Sequence, residues 1–262
     1  DAVLVLDQAS TQVAEDGSSV LHVHMIAHVL TSEGLEHWGE LEQIPEHAWV
    51  ETVRTIRSDG QALEAERHPN KDSISLPGLQ IGDFVELSYL LPNPSSSPMA
   101  RSFLARRFYF RSRAAGIFRS IYSLAVPKSA GLRLEGFNQA PKAQVFEKDG
   151  FIVHRLTQDR APSLEKEAHA PPMDDYAAFV QAGFGITWRD YRNILALRLQ
   201  RATREADSLN EYLKAFSDPD EISRLRRLYH QVCADIQAKG AGDGLEEPAS
   251  HILAKREGNR LV

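Results

Sequence analysis

Leu21-His22-Val23-His24-Met25-Ile26-Ala27-His28-Val29 alternates with a period of two. Leu21, Val23, Met25, Ala27 and Val29 fall on one face, and His22, His24, Ile26 and His28 on the other. Successive side chains of a strand point to opposite sides, so the pattern predicts a β-strand with one buried face. Asp16-Gly17 precedes it, and Asp59-Gly60 and Asp149-Gly150 separate further strand-like runs. Asp-Gly is a hairpin signal because glycine accepts positive φ. The third pair joins an apolar run over 143–147 to another over 151–156. Pro77-Gly78 and Gly82-Asp83 bracket Leu79-Gln80-Ile81, which leads into a strand predicted over 84–91. Pro92-Asn93-Pro94-Ser95-Ser96-Ser97-Pro98 predicts a loop, since prolines bring no donor to a ladder.

Many short strands with a turn signal every ten or so residues predict a β-sandwich over residues 1–165, with a break near 92–100 if it forms two lobes. Residues 166–186 read as a linker containing Pro171-Pro172. The period then changes from two to 3.6, and 187–262 read as helical. Thr187 is placed to cap a helix carrying Trp188, Tyr191, Leu195 and Leu199 at helical spacing. A second helix is predicted after Asp218 as N-cap, with Pro219 in the first turn and Glu221 closing a capping box. Its apolar stripe is Ile222, Leu225, Leu228, Tyr229, Val232 and Ile236, and Gly240 is its natural stop. Gly240-Ala241-Gly242-Asp243-Gly244 is a loop before a short helix started by Pro248. The fold class is therefore mainly β with an α C-terminal part.

The chain has 262 residues, 42% hydrophobic and 25% charged, which is ordinary for a globular protein. Its net charge of −6 argues against nucleic acid as a partner, which calls for a basic footprint. No apolar run approaches the roughly 18 residues that mark a membrane span. A start at Asp1 without methionine fits a processed or trimmed polypeptide. The lone Cys233 rules out an intrachain disulfide or a cysteine-based zinc cluster. No Gly-x-Ser-x-Gly elbow, phosphate loop or dinucleotide fingerprint occurs, so no cofactor is expected.

Three groups of residues invite functional readings. His22 and His24, two apart on one strand face with His28 beyond, have the spacing of imidazoles that share a metal. The plainer reading is the solvated face of a half-buried sheet, because no carboxylate stands at a diagnostic spacing. Residues 101–122 interleave Arg101, Arg106, Arg107, Arg111, Arg113 and Arg119 with aromatic side chains. Arg107, Arg111 and Arg113 are candidate anion-binding groups. They also share one strand face opposite Phe108 and Phe110, which a core face and a charged outer face explain without a ligand. Cys233, near the apolar stripe of a helix, reads as a small buried hydrophobe rather than a nucleophile. Trp38 and Trp49 read as core or rim residues; exposure in a groove would instead mark a binding face.

The order of these pieces resembles a known family. The matching stretches are Asp16-Gly17 before the long alternating strand, residues 52–60 ending in Ser58-Asp59-Gly60, and Leu79-Gln80-Ile81-Gly82-Asp83. Further matches are Val126-Pro127, Trp188, Leu228-Tyr229-His230-Gln231-Val232 with Ile236, and the Pro248-started helix ending at Gly258. Together they resemble the N-terminal β-sandwich domain of unknown function that precedes bacterial transglutaminase-like (papain-like) domains. The resemblance implies an extracytoplasmic protein whose last segment corresponds to the first helices of that domain. In the family, Gly-Asp-Cys follows this helix, and the cysteine is the nucleophile. Here Gly258-Asn259-Arg260 stands in that place, and a guanidinium cannot become a thiolate.

Three functions are compatible with this reading. The first is a non-enzymatic interaction or scaffold module with a degenerate transglutaminase-like segment and a protein or peptide partner. The second is the N-terminal portion of an active transglutaminase or cysteine-protease-like enzyme whose catalytic residues lie beyond 262. The third is a glycan- or peptide-binding β-sandwich.

Overall fold

The computed structural model describes residues 1–41, 44–45, 47–67, 73–94, 101–164, 171–204, 206–238 and 248–258. The chain divides into two compact units, Asp1–Ile186 and Thr187–Val262. In the first unit, β1 (Ala2–Val13) and β2 (Ser19–Val29) are followed by α1 (Ser32–Trp38), β3 (Glu40–Leu41), β4 (Trp49–Ile56) and β5 (Ala62–Glu64). Next come β6 (Glu66–Arg67), β7 (Ile74–Ser75), β8 (Phe84–Asn93), β9 (Phe103–Leu104) and β10 (Phe108–Tyr109). The long β11 (Gly116–Pro127), β12 (Arg133–Phe137), β13 (Gln144–Lys148), β14 (Phe151–Ala161) and β15 (Phe179–Phe184) complete it. The second unit holds α2 (Trp188–Ala202), α3 (Asp207–Lys214), α4 (Glu221–Asp235), β16 (Gln237–Ala238), α5 (Ala249–Lys255) and β17 (Glu257–Gly258).

Eight strands form one sheet in the order β13-β14-β11-β1-β2-β8-β4-β5. Adjacent strands run antiparallel except β1 and β11, which are parallel. The Asp-Gly pairs at 16–17, 59–60 and 149–150 sit in the β1–β2, β4–β5 and β13–β14 turns. At the first, Gly17 has φ 86°, and a Cβ there would lie 2.1 Å from the Ser102 carbonyl oxygen. That close approach, with Arg101 N–H donating to Asp16 O at 3.0 Å, joins the hairpin to the chain entering β9.

The central strands of the large sheet turn their buried apolar residues to the same side. Of Leu21, Val23, Met25, Ala27 and Val29, the first four are paired with Leu91, Tyr89, Leu87 and Val85 on β8. On the other side all five meet Thr11, Ala9, Asp7, Leu4 and Ala2. A bulge between Leu4 and Leu6 in β1 keeps both halves of that strand in phase. Two layers cover this face. Trp38, Leu41, Ile74 and Leu76 pack on Ala2, Leu4, Ala27, Val29, Val53, Val85 and Leu87. The second cover is a sheet in which β15 pairs with β9, β10 and β12. Its Phe103, Phe110, Ala178, Val180 and Ala182 pack on Ala9, Val13, Tyr122, Leu124, Val126 and Leu156. The result is a sandwich at one end of the sheet and a helix-and-ribbon cover at the other.

Several local expectations are corrected. Pro92 and Asn93 belong to β8 and pair with Val20 and Ser19 rather than opening a loop. The last pair on the β4 side is Trp49 with Leu90, so proline's missing donor takes no bond from that side. The break expected near 92–100 falls partly on residues 95–100, outside those described; β8 before it and β11, β13 and β14 after it share the eight-stranded sheet, while β9 and β10 pair with β15 in the smaller one. The stretch 166–186, expected as a linker, contains β15, with Phe179, Val180 and Ala182 buried. Helix α4 starts two residues later than predicted, because Asp220 rather than Asp218 accepts from the Ser223 N–H, at 2.9 Å. It ends before Gly240, since Ile236 is extended and β16 pairs with β17. Gly240, with its loop, lies outside the described residues. Thr187 caps α2 in a full capping box with Asp190.

Within the second unit Asp235 is the hub. It accepts from Tyr212 Oη of α3 at 3.0 Å, from Gln231 Nε2 at 2.8 Å and from Arg256 Nη1 at 3.1 Å. These donors, Tyr212 first, hold its carboxyl below the usual range.

Where the two covering layers of the large sheet meet, Asp7 faces inward between Met25 and Ser120. Burial pushes its carboxyl up to about 6, against a hydrogen bond from Ser120 Oγ that works to lower it. A carboxyl raised in the folded state binds its proton more tightly there, so its stabilising contribution is full below the unfolded value of 3.8. That contribution is lost as pH rises through about 6. Asp7→Asn therefore raises stability at pH 8, by up to about 3 kcal/mol at ~1.4 kcal/mol per pH unit. The gain shrinks towards zero by about pH 4. Denaturant titrations at the two pH values measure it, and a gain independent of pH would show that Asp7 is not the titrating group.

Candidate functional site

The face opposite the core carries the sequence-predicted histidines and, beside them, groups that lie far away in sequence. Along β2, His22 is paired with Leu90, His24 with Ser88 and Ile26 with Glu86 of β8. On the far side of β8, Leu90 meets Trp49, Ser88 meets Thr52, and Glu86 meets Arg54 of β4. Between Val50 and Thr52 the β4 register shifts, so Glu51 is the extra residue of a bulge. A bulge re-aims side chains, and here Glu51 reaches across to Ser88.

Two clusters result. Glu86 Oε1 lies 2.9 Å from His24 Nε2, and its Oε2 accepts from Arg54 Nε at 2.7 Å. Burial alone would raise the Glu86 carboxyl, but the hydrogen bonds from His24 and Arg54 prevail and hold it low. In the second cluster, Ser88 Oγ donates to Glu51 Oε2 at 2.9 Å. His22 Nε2 lies 2.9 Å from Ser88 Oγ and 3.2 Å from Glu51 Oε2. Serine, histidine and glutamate are the elements of a hydrolytic triad, but the geometry differs. A triad places the acid on one ring nitrogen and the hydroxyl on the other, with the serine proton passing to the imidazole. Here both oxygens meet Nε2 and the Ser88 proton points to Glu51, so the trio is a hydrogen-bond platform.

His28 does not join its neighbours, because its ring stacks on Phe84 at 4.4 Å. His22 and His24 run parallel at 6.4 Å. Among the described residues no group of three or more His, Cys, Asp or Glu is placed to hold a metal. The face is half-buried rather than freely solvated. The two candidate tryptophans part company: Trp38 is buried in the core, while Trp49 is 68% exposed.

The three candidate anion-binding arginines hold the segment after β14. Arg107 pairs with Asp174, which also accepts from Tyr109 Oη, and its guanidinium lies over Phe179. Arg111 donates to the carbonyls of Pro162 and Ser163. Arg113 Nε donates to Tyr176 Oη at 2.8 Å and its Nη2 to Pro171 O at 3.1 Å. Each guanidinium thus has partners from the chain itself. Cys233 is a free, half-buried thiol on α4. Arg260, matched to the family nucleophile, lies outside the described residues.

Sequence reasoning missed Glu51, Arg54, Glu86 and Ser88. Alternation along β4 and β8 could have placed Arg54, Glu86 and Ser88 on outward faces. Nothing local signalled the bulge that brings Glu51 to His22.

No protein-family model matches the chain, and no curated protein matches it. Among solved structures, the fold is shared with a putative protease from Parabacteroides distasonis ATCC 8503 at a TM-score of 0.72 and 14% identity. The match covers 99% of this chain and 56% of that one, so the chain spans little more than half the length of that structure. An M1 zinc metallopeptidase from Deinococcus radiodurans matches 70% of the chain and 42% of its own, at 13% identity and a TM-score of 0.36. That score is too low to carry an argument. At 14% identity the first likeness speaks to fold alone.

The His–Glu face yields a direct expectation about metals. His22 and His24 already meet Ser88, Glu51 and Glu86, and Arg54 sets a positive charge on Glu86. Elemental analysis of purified protein is expected to find no stoichiometric zinc. About one zinc per chain, lost in the His22→Ala/His24→Ala double variant, would overturn this assignment.

Proposed function

We propose that the chain is a non-enzymatic interaction module of an extracytoplasmic protein. In this reading a β-rich platform precedes a transglutaminase-like helical segment in which Arg260 takes the place of the nucleophilic cysteine. The observation that carries the proposal is the convergence of Ser88 Oγ and Glu51 Oε2 on one nitrogen of His22. That arrangement presents donors and acceptors without activating a nucleophile. The extracytoplasmic setting rests on the family resemblance.

One observation favours a second reading. The fold is shared along 99% of the chain with a putative protease of which it spans only 56%. The chain would then be the N-terminal portion of a transglutaminase or cysteine-protease-like enzyme, with catalytic groups beyond residue 262.

Incorporation of a labelled amine into a glutamine-containing protein separates the two. The chain of 262 residues is expected to be inactive, and Cys233→Ser is expected to alter packing alone. Iodoacetamide-sensitive incorporation by this chain would refute the module reading. Thiol-dependent activity that appears only when the polypeptide continues past 262 would establish the second.

A further inference from the structure

We infer that the outward face of β2, β8 and β4 around Trp49 binds a neutral oligosaccharide. The inference rests on the module reading above and names the class of its ligand.

Trp49 opens β4 with 68% of its surface exposed. It pairs with Leu90, and Leu90 pairs with His22, so indole and imidazole stand two strands apart on one face. At ~4.8 Å per strand that separation is roughly 10 Å. The bulge puts Glu51, its side chain 46% exposed, between them, with Oε2 against both Ser88 and His22. An exposed aromatic plane therefore borders a carboxylate, an imidazole and a hydroxyl that are already oriented by one another.

A pyranose ring has the complementary chemistry. Its C–H face is apolar and weakly positive, which suits the electron-rich face of an indole. Its rim is hydroxyl, each group both donor and acceptor, which suits Glu51 and His22. The Glu86 carboxylate is paired with the Arg54 guanidinium, and the Glu51 carboxylate is held by Ser88 and His22, so among the described residues the face carries no unpaired cation. Such pairing creates no single-sign field to attract a polyanion, so a neutral sugar fits better than a sulfated or phosphorylated polymer. An extended peptide fits less well. Strands β2 and β8 are flanked on both sides, and the bulge at Glu51 interrupts β4 beside its own edge. Bulges of that kind blunt strand addition.

The test uses the whole chain with Trp188→Phe, which leaves Trp49 as the exposed indole and Trp38 as the buried one, so that a ligand-dependent change in emission reports on Trp49. Cellotetraose, maltotetraose and tetra-N-acetylchitotetraose, all neutral, are titrated by tryptophan emission and calorimetry. At least one is expected to bind saturably, with a dissociation constant between tens of micromolar and about a millimolar. Trp49→Ala is expected to weaken calorimetric binding at least about tenfold, and Glu51→Gln about threefold to tenfold. Circular dichroism and Tm of Trp49→Ala should match the parent, because the side chain is exposed. Saturable binding lost with Trp49 in a folded variant establishes the site. The inference is overturned if none of the three sugars binds, or if Trp49→Ala binds as the parent does. It is equally overturned if only a neutral hexapeptide shows Trp49-dependent binding. Inertness towards sugars without thiol-dependent transamidation removes this inference alone. Iodoacetamide-sensitive transamidation removes the module reading, whatever the sugars do.

Discussion

The single-sidedness of the eight-stranded sheet governs the rest of the first unit. A strand's side chains alternate, so slipping one residue out of phase would turn buried groups into water and charged groups into the core. Strand β1 runs through the middle of the sheet and touches both covering layers, which makes its phase decisive. Its bulge between Leu4 and Leu6 lets Ala2 and Leu4 face the helix-and-ribbon cover while Ala9 and Val13 face the smaller sheet. The price is Asp7, which the corrected phase brings inward at the seam between the covers. Its carboxyl is raised by burial and eased by Ser120.

A second bulge, at Glu51, shapes the opposite face. Without an extra residue there, strict alternation would put Glu51 on the same side as Val53, towards the core, or, kept in phase with Val50, would turn Val53 outward. With it, Glu51 and Thr52 both lie on the outward side, and the Glu51 carboxylate reaches Ser88 and His22. Two irregularities thus divide the labour, one keeping the core in phase and the other assembling a polar platform beside an exposed indole. Neither cluster on that platform has proton-relay geometry, and the paired charges give it recognition capacity rather than reactivity.

The second unit is organised differently. Its helices are short and capped at polar ends, by Thr187 with Asp190 and by Asp220 with Ser223. Their tie is the Asp235 carboxylate, gathering Tyr212, Gln231 and Arg256. Arg256 does this from a left-handed residue at the end of α5, while its carbonyl accepts from Gln237 N–H at 2.8 Å. Cys233 lies two residues from the hub on α4 and takes no part in it.

What the sequence determined by itself was what local geometry encodes. The two-residue period of 21–29 marked which side of β2 is buried, because alternation is a property of each strand. The Asp-Gly pairs marked three hairpins, because positive φ is decided within the turn. Thr187 marked a helix start, because a cap spans only three residues. Tertiary structure decided everything that depends on distant partners. The parallel pairing of β1 with β11 joins segments more than a hundred residues apart, and β15 lies in a stretch without alternation or turn signals. The arginines of 107–113 looked like a basic strip until Asp174, Tyr176 and the carbonyls of Pro162, Ser163 and Pro171 were brought to them. Register shifts at Leu4 and Glu51 depend on how neighbouring strands fit, not on their own residues. For that reason the histidines were legible from the start and Trp49 was a candidate, while the carboxylates that give their face a chemistry, and the exposure of that indole, were not.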